Sequence, residues 1–325
     1  MSQPLLVHDD TPEFAAAVLA GLSQPQKVIP ARFFYDRTGS ELFEAITQLP
    51  EYYPTRTEIT ILTEHATAIA AAVGGGRAVI EFGSGSSAKT PLLLRAIAPA
   101  AYVPVDISAE FLQASAAALA ADFPGLPVLP VAADFTAPIR LPLSVAGLPR
   151  LGFFPGSTLG NLAPAAAVDL LRGFAATLGA QSWLIIGLDL APGAEKSAAV
   201  LEAAYDDAQG VTAAFNLNLL HRVNRDLNGT VRIADFAHRA AWNGDLGRIE
   251  MHLAAVCDTR FSAAGQNFSL VAGETIHTEN SYKWTLPEAR LLARASGWLP
   301  ANVWLDAAGQ FSLHLWQREM GVMQP

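Results

Sequence analysis

The sequence predicts an α/β protein, an open and largely parallel sheet wrapped by helices, with a second, mixed α/β lobe set into the chain after it. Three observations carry this. Between residues 60 and 190, short apolar runs at 78–82, 102–105, 128–132, 151–154 and 183–188 alternate with helical stretches. Runs of that length are too short for helices, and parallel strands buried on both faces read as near-continuous apolar segments. After Leu190 the texture changes. Pro192-Gly193 breaks the chain, and a polar, Asn- and Asp-bearing stretch follows as far as His221-Arg222. The chain then ends on a helix at 286–296 and two strands, 302–305 and 311–316, that turn at Ala308-Gly309. A sheet closed by an antiparallel strand is the expected result.

In order along the chain, Pro54 forces the residue before it extended, Thr55 can cap a helix and Glu58 can complete a capping box. The first core strand, 78–82, runs into a glycine loop and then a helix opened by Pro91. The second, 102–105, ends at Asp106, and alanines around 115–121 form the helix after it. The third, 128–132, ends at Ala133-Asp134-Phe135. The lobe should hold helices over 195–220 and strands at 231–236, 249–256 and 274–278, where apolar residues alternate with polar ones.

The 325 residues, 51% of them hydrophobic, suffice for one large domain or two. A net charge of −9 without a basic run disfavours a nucleic-acid substrate. The single cysteine, Cys257, excludes an intrachain disulfide and suits a reducing cytoplasm. Residues 1–10 carry neither a basic nor an apolar leader segment, and no apolar stretch reaches membrane-spanning length. The seven histidines show no metal-ligand spacing, so no metal is expected.

Glu81-Phe-Gly-Ser-Gly-Ser-Ser-Ala-Lys-Thr90 is the most informative stretch. Backbone without Cβ atoms can approach a nucleotide-like ligand there, beside a helix N-terminus. It can be read as a dinucleotide fingerprint, Gly83-x-Gly85-x-x-Ala88. It can be read as a degenerate P-loop ending Ala88-Lys89-Thr90, with 184–189 as a Walker-B-like strand. It can also be the first motif of an S-adenosylmethionine (SAM) methyltransferase, which prefers an acid before the glycines. Asp106, about 20 residues on, suits a carboxylate accepting from both ribose hydroxyls, and a P-loop enzyme does not need one. Asp134 and Phe135 could bracket an adenine. Ala88 puts a methyl where a P-loop needs free backbone. The methyltransferase reading leads.

Longer strings are more specific. Phe-Tyr-Asp-Arg-Thr-Gly-Ser-Glu-Leu-Phe (34–43), Leu-Pro-Glu-Tyr-Tyr-Pro-Thr-Arg-Thr-Glu (49–58), the glycine loop (81–90), Phe-Pro-Gly-Ser-Thr-Leu-Gly-Asn (154–161), Ala-Tyr-Asp-Asp-Ala-Gln-Gly-Val-Thr-Ala-Ala-Phe-Asn (204–216) and Thr-Glu-Asn-Ser-Tyr-Lys (278–283) occur in that order. With them the chain resembles, nearly end to end, the histidine Nα-methyltransferases of ergothioneine biosynthesis, which trimethylate L-histidine to hercynine with SAM. The resemblance implies a Rossmann-like class I methyltransferase core that binds SAM, at 57–192 and 284–325, and a mixed α/β substrate-binding lobe at 5–56 and 193–283.

It also implies site residues. SAM contacts fall on Tyr35, Gly83, Lys89, Asp106, Asp134 and Phe135. The amino-acid pocket falls on Tyr52, Gly156, Thr158, Asn161, Tyr205, Met251, Glu279 and Ser281. Tyr35 and Asn161 take the catalytic role of orienting the amine. Asn161 and Tyr205 can anchor the α-carboxylate or amine, and Glu279 and Ser281, two apart on an extended segment, can both grip an imidazole. Asn280 and Tyr282 depart from residues that some members carry, and they should face away from the pocket. The partner is L-histidine, with no nucleic acid, membrane or metal, and the protein is expected to be a cytoplasmic monomer. The rival readings are a methyltransferase of another amino acid or biogenic amine, an NAD(P)-dependent oxidoreductase, and a non-catalytic SAM-binding regulator.

Overall fold

A computed structural model describes residues 11–85 and 89–318. Ser86-Ser87-Ala88 of the glycine loop, and the first ten residues used to assess a leader, lie outside the described residues. The chain forms two compact units, one made of Pro54–Lys196 and Lys283–Pro325, the other of Met1–Tyr53 and Ser197–Tyr282.

The first unit is built on a seven-stranded sheet. Its order is Trp298–Leu305, Phe311–Arg318, Trp183–Asp189, Arg150–Phe154, Ala78–Phe82, Ala101–Asp106, Val131–Ala132. The last five are mutually parallel, and Phe311–Arg318 runs antiparallel to Trp183–Asp189. The parallel strands are apolar because helices cover both faces: every residue of Ala78–Phe82 is buried. Leu93, Leu94 and Ile97 of the helix Thr90–Ile97 pack with Ile69 and Val73 of Ala66–Val73 in one core. Elsewhere Phe82 and Phe174 stack with centroids 3.8 Å apart, and Phe154 meets Phe174 edge-on at 5.1 Å. The helix Leu286–Ala295 begins with a capping box made by Thr285 and Glu288.

From Ala78–Phe82 the chain winds outward through Ala101–Asp106 and Val131–Ala132, then reverses to Arg150–Phe154 and Trp183–Asp189 on the other side. Crevices in open α/β sheets form outside the carboxyl ends of the strands at such a reversal. Here the two flanking strands lead into Gly83 and Pro155-Gly156.

The second unit has a four-stranded sheet in the order Lys27–Val28, Thr275–Tyr282, Arg248–Ala255, Phe236–Asn243, with a separate hairpin of Thr259–Ala263 and Gln266–Leu270. Phe14, Phe33 and Phe34 from the start of the chain share its core with Leu219, Leu253 and Ile276. Asp36 fastens the two stretches together. Its Oδ1 caps the helix Arg37–Thr47 through Gly39 N and also accepts from Asn218 Nδ2, each at 2.8 Å, while its Oδ2 accepts from Arg225.

Several expectations need correction. Of the strand expected at 231–236, residues 231–235 are not strand. Ile233–Asp235 is a 3-10 turn, and the strand begins at Phe236. The third core strand shrinks from 128–132 to Val131–Ala132, preceded by an isolated bridge at Val128, because Pro130 has no N–H to give the ladder. The helix Tyr53–Glu64 starts two residues before Thr55, so Thr55 and Glu58 form no capping box. Glu58 lies fully buried on the same helix face as Ile61 and Leu62.

Asp189 is no metal-binding Walker aspartate either. Its Oδ1 accepts from Lys196 Nζ at 2.5 Å and its Oδ2 from Lys283 Nζ at 2.7 Å, with all three side chains at most 1% exposed. Burial alone would raise the Asp189 pKa, but the charges of Lys283 and Lys196 hold it below its usual value. Burial pulls Lys196 down to about 8 against the attraction of Asp189.

Candidate active site

The loop after Ala78–Phe82 is shaped by two glycines at positive φ, Gly83 at +70° and Gly85 at +47°. Gly83 N and Ser84 N donate to Val105 O at 2.8 and 3.1 Å, and Gly85 N donates to Asp106 Oδ2 at 3.0 Å. Asp106 Oδ1 accepts from Ser108 N at 3.0 Å, which opens the next helix. A Cβ on Gly83 would lie 3.1 Å from the Phe135 ring, whereas one on Gly85 meets nothing within 4 Å among the described residues. At Gly83 the loop is therefore packed against Phe135. Each Asp106 oxygen spends one acceptor site on backbone and keeps another. That arrangement fits the ribose of a SAM-like nucleoside. Asp134 is exposed, and its Oδ1 accepts from Thr136 N and Oγ1, bracing the turn that presents Phe135.

Beneath the loop lies a buried polar cluster. Glu81 Oε2 accepts from Thr90 Oγ1 at 2.7 Å and Tyr102 OH at 2.6 Å. Complete burial raises its pKa to about 7 despite those bonds and the charge of Lys89, with Glu58 adding to the rise. The folded state therefore keeps a proton that the unfolded chain has lost above about pH 4.5, and stability falls between pH 4.5 and 7. Glu81→Gln keeps an acceptor for both hydroxyls and removes the titration. Relative to wild type, it should gain about 3 kcal/mol on going from pH 4.5 to pH 8. Thermal unfolding of both proteins at the two pH values checks this, and parallel curves would place the raised pKa elsewhere.

Glu58 Oε2 takes an ion pair from Lys89 Nζ and a hydrogen bond from Gly156 N at 2.8 Å. Gly156 has φ +82° and Ser157 φ +57°, so two successive left-handed residues turn the chain into the 3-10 segment Thr158–Asn161. A Cβ on Gly156 would sit 3.6 Å from both Lys89 Nζ and Thr158 Oγ1. Thr158 is exposed and Asn161 half-buried.

In the second unit an aromatic chain links the expected residues. Tyr35, 41% exposed, meets Phe43 at 5.7 Å; Phe43 meets Tyr52 at 6.3 Å; Tyr52 meets Tyr205 at 6.2 Å. Tyr205 OH and Ser281 Oγ lie 2.8 Å apart. Glu279 stands opposite Met251 across the strands Thr275–Tyr282 and Arg248–Ala255, and cross-strand partners share a face. Glu279, Ser281 and Met251 are all buried. Tyr282 OH takes a hydrogen bond from Arg248 instead.

Behind Tyr205, His238 Nε2 donates to the Tyr205 carbonyl at 2.8 Å, and its Nδ1 then accepts from Asn216 Nδ2 at 2.8 Å. Burial lowers the His238 pKa and favours this neutral form.

The structure thus gathers Gly83, Asp106 and Phe135 at one loop, Lys89, Gly156 and Thr158 around Glu58, and Tyr35, Tyr52, Tyr205, Met251, Glu279 and Ser281 within the second unit. Asp134 is exposed beside Phe135, with one carboxylate oxygen accepting from Thr136. Sequence reasoning missed Phe43, His238 and the link from Glu58 to Lys89 and Gly156. Among the described residues no group of three or more His, Cys, Asp or Glu could hold a metal ion, and no helix is long and apolar enough to cross a membrane.

Comparison with known proteins agrees in kind. A family model described as histidine-specific methyltransferase, SAM-dependent, matches residues 14–318. The chain is 40% identical to a histidine N-alpha-methyltransferase of Mycolicibacterium smegmatis, over 92% of each chain, and 38% identical to that of Mycobacterium tuberculosis over the same shares. It is 30% identical to ergothioneine biosynthesis protein 1 of Neurospora crassa, matching 88% of this chain and 33% of that longer one. Among solved structures, a SAM-dependent methyltransferase from Clostridium acetobutylicum superposes with a TM-score of 0.51 at 8% identity, covering 86% of this chain and 99% of that one, a likeness of fold.

Proposed function

The chain belongs to the family of histidine-specific, SAM-dependent methyltransferases, and on that premise we infer that it trimethylates the α-amine of L-histidine to hercynine, in ergothioneine biosynthesis. The fold is that of a class I methyltransferase. The geometric observation that supports the substrate most is the convergence of Glu279, Ser281, Met251 and Tyr205, a buried carboxylate and two hydroxyls beside an apolar floor. Such a set suits an imidazole better than an indole or an aliphatic side chain.

SAM supplies an electrophilic methyl carbon on a sulfonium, so the protein's task is to hold and dehydrate the reactants. We assign SAM binding to 57–192 and 284–325, where Gly83 lets the backbone approach, Asp106 accepts from the ribose, Phe135 and Asp134 flank the base, and Lys89 donates to the donor's polar end. The amino-acid lobe is assigned to 5–56 and 193–283. Glu279 and Ser281 hold the imidazole over Met251, and Tyr52, Gly156 and Thr158 are assigned as further contacts of the amino acid. Tyr205 and Asn161 hold the carboxylate or amine, and Tyr35 and Asn161 orient the amine lone pair. The exposed Tyr35 ring, which also contacts SAM, can stabilise the growing ammonium through cation–π contact. We propose an enzyme that takes neither nucleic acid nor a metal, the former on its net charge of −9. We place it in the cytoplasm as a monomer.

Incubation of the purified protein with SAM and L-histidine, read by mass spectrometry, should yield the trimethylated product, and mono- and dimethylhistidine should both be accepted. The rate should rise from pH 6 to 9 as the substrate amine loses its proton. A product stalled at one methyl group would assign the chain to another amino-acid methyltransferase. Asp106→Ala should weaken SAM binding by about 1.5–3 kcal/mol through lost charge-assisted hydrogen bonds. Calorimetry reads this directly, and unchanged affinity would remove Asp106 from the site.

A further inference from the structure

We propose that Glu58 is a positioning residue for methyl transfer, its carboxylate joining the cofactor lysine Lys89 to the turn that carries Thr158 and Asn161. This rests on the site assignments above and adds a residue that none of them includes. Glu58 is fully buried, and one oxygen, Oε2, holds both Lys89 Nζ and Gly156 N. Those two partners belong to the loops that leave the strands flanking the sheet's reversal, where ligands of this architecture bind.

Lys89 Nζ has three donors, and one of them is committed to Glu58. A lysine is a flexible point charge on a four-carbon stem, so an anchored ammonium fixes where its remaining donors point. Gly156 N is the first N–H of the left-handed turn through Gly156 and Ser157, and its bond to Glu58 sets the direction from which Thr158–Asn161 departs. The other oxygen, Oε1, is buried without a hydrogen-bond partner among the described residues, and a Cβ on Gly187 would lie 2.0 Å from it. The carboxylate is thus held against a strand that has a glycine at the point of contact.

The test separates the two arms of the carboxylate by steady-state kinetics on the full chain. Glu58→Gln keeps an acceptor for Gly156 N and loses the charge that holds Lys89. KM for SAM should rise about tenfold, with KM for histidine nearly unchanged. Glu58→Leu loses both arms, and KM for histidine should rise as well. Lys89→Met should reproduce the SAM defect, and the double variant Glu58→Gln/Lys89→Met should be no worse than Lys89→Met alone, since partners in one contact are not additive. Circular dichroism of each variant identifies those that fold. If Lys89→Met leaves KM for SAM unchanged, the assignment of Lys89 itself is wrong. If Lys89→Met raises it while Glu58→Gln leaves it unchanged or lowers it, or if the two effects multiply, the positioning role of Glu58 is overturned and the site assignment stands.

Discussion

Asp189→Ala should cost about 3–5 kcal/mol of folding stability, because it removes the buried carboxylate with which two buried lysines pair. Lys196 and Lys283 each place an ammonium on one Asp189 oxygen, and none of the three groups reaches solvent. Lys196 has further carbonyl partners in Leu190 and Gln310, which satisfy its protons but not its charge. Asp189 itself holds the Lys196 pKa up near 8, so in the variant Lys196 sheds its proton at lower pH, and the loss should shrink as the pH rises towards 8 and level off above it. Urea denaturation followed by circular dichroism at pH 7 and pH 9.5 reads both effects. Exchanging all three residues for apolar ones of similar size should restore much of the lost stability, because a buried ion cluster gains little over good packing. A loss below 1 kcal/mol for the single variant would mean that water reaches the lysines.

The second large effect concerns the substrate. Glu279→Ala should lower kcat/KM for histidine about 10- to 150-fold, the loss of ~1.5–3 kcal/mol expected when a charged acceptor leaves an imidazole nitrogen unpartnered in a closed pocket. Glu279 is buried opposite Met251, with Ser281 two residues along the strand held by Tyr205. The truncation opens volume beside Met251 and removes a buried charge. Tryptophan and phenylalanine should therefore lose less than histidine, or gain. Comparing the three amino acids on both proteins at one SAM concentration makes the measurement. A variant within twofold of wild type on histidine would take Glu279 out of the pocket.

The parallel core was legible because its strands are buried on both faces, so each reads as an apolar run whatever its partners. Half-exposed strands lack that signal. Phe236–Asn243 mixes His238, Arg239 and Asn243 into its ladder, and its start was displaced onto a 3-10 turn. The hairpin at 259–270 went unread, although Ala264-Gly265, both at positive φ, is the two-residue turn such hairpins use. At the site, motif strings pointed to residues that end strands and line loops. They were silent on buried charges, whose partners lie far off in sequence. Glu58 read as a helix cap because a local rule accounted for it, yet its spacing to Ile61 and Leu62 already put it on a buried helix face. Asp189 could be read only as the end of a Walker-B-like strand, in the P-loop alternative, because nothing adjacent to an apolar run announces two lysines, one of them 94 residues away.

The core that Phe14, Phe33 and Phe34 share with Leu219, Leu253 and Ile276 has a consequence for synthesis. These aromatic residues leave the ribosome before the strands they pack against, which arrive only with residues 197–282. At ~5–20 residues per second the wait is on the order of ten seconds or longer. Throughout that interval the segment that carries them lacks its packing partners. Synonymous codons that slow translation between residues 54 and 196 should lengthen the exposure.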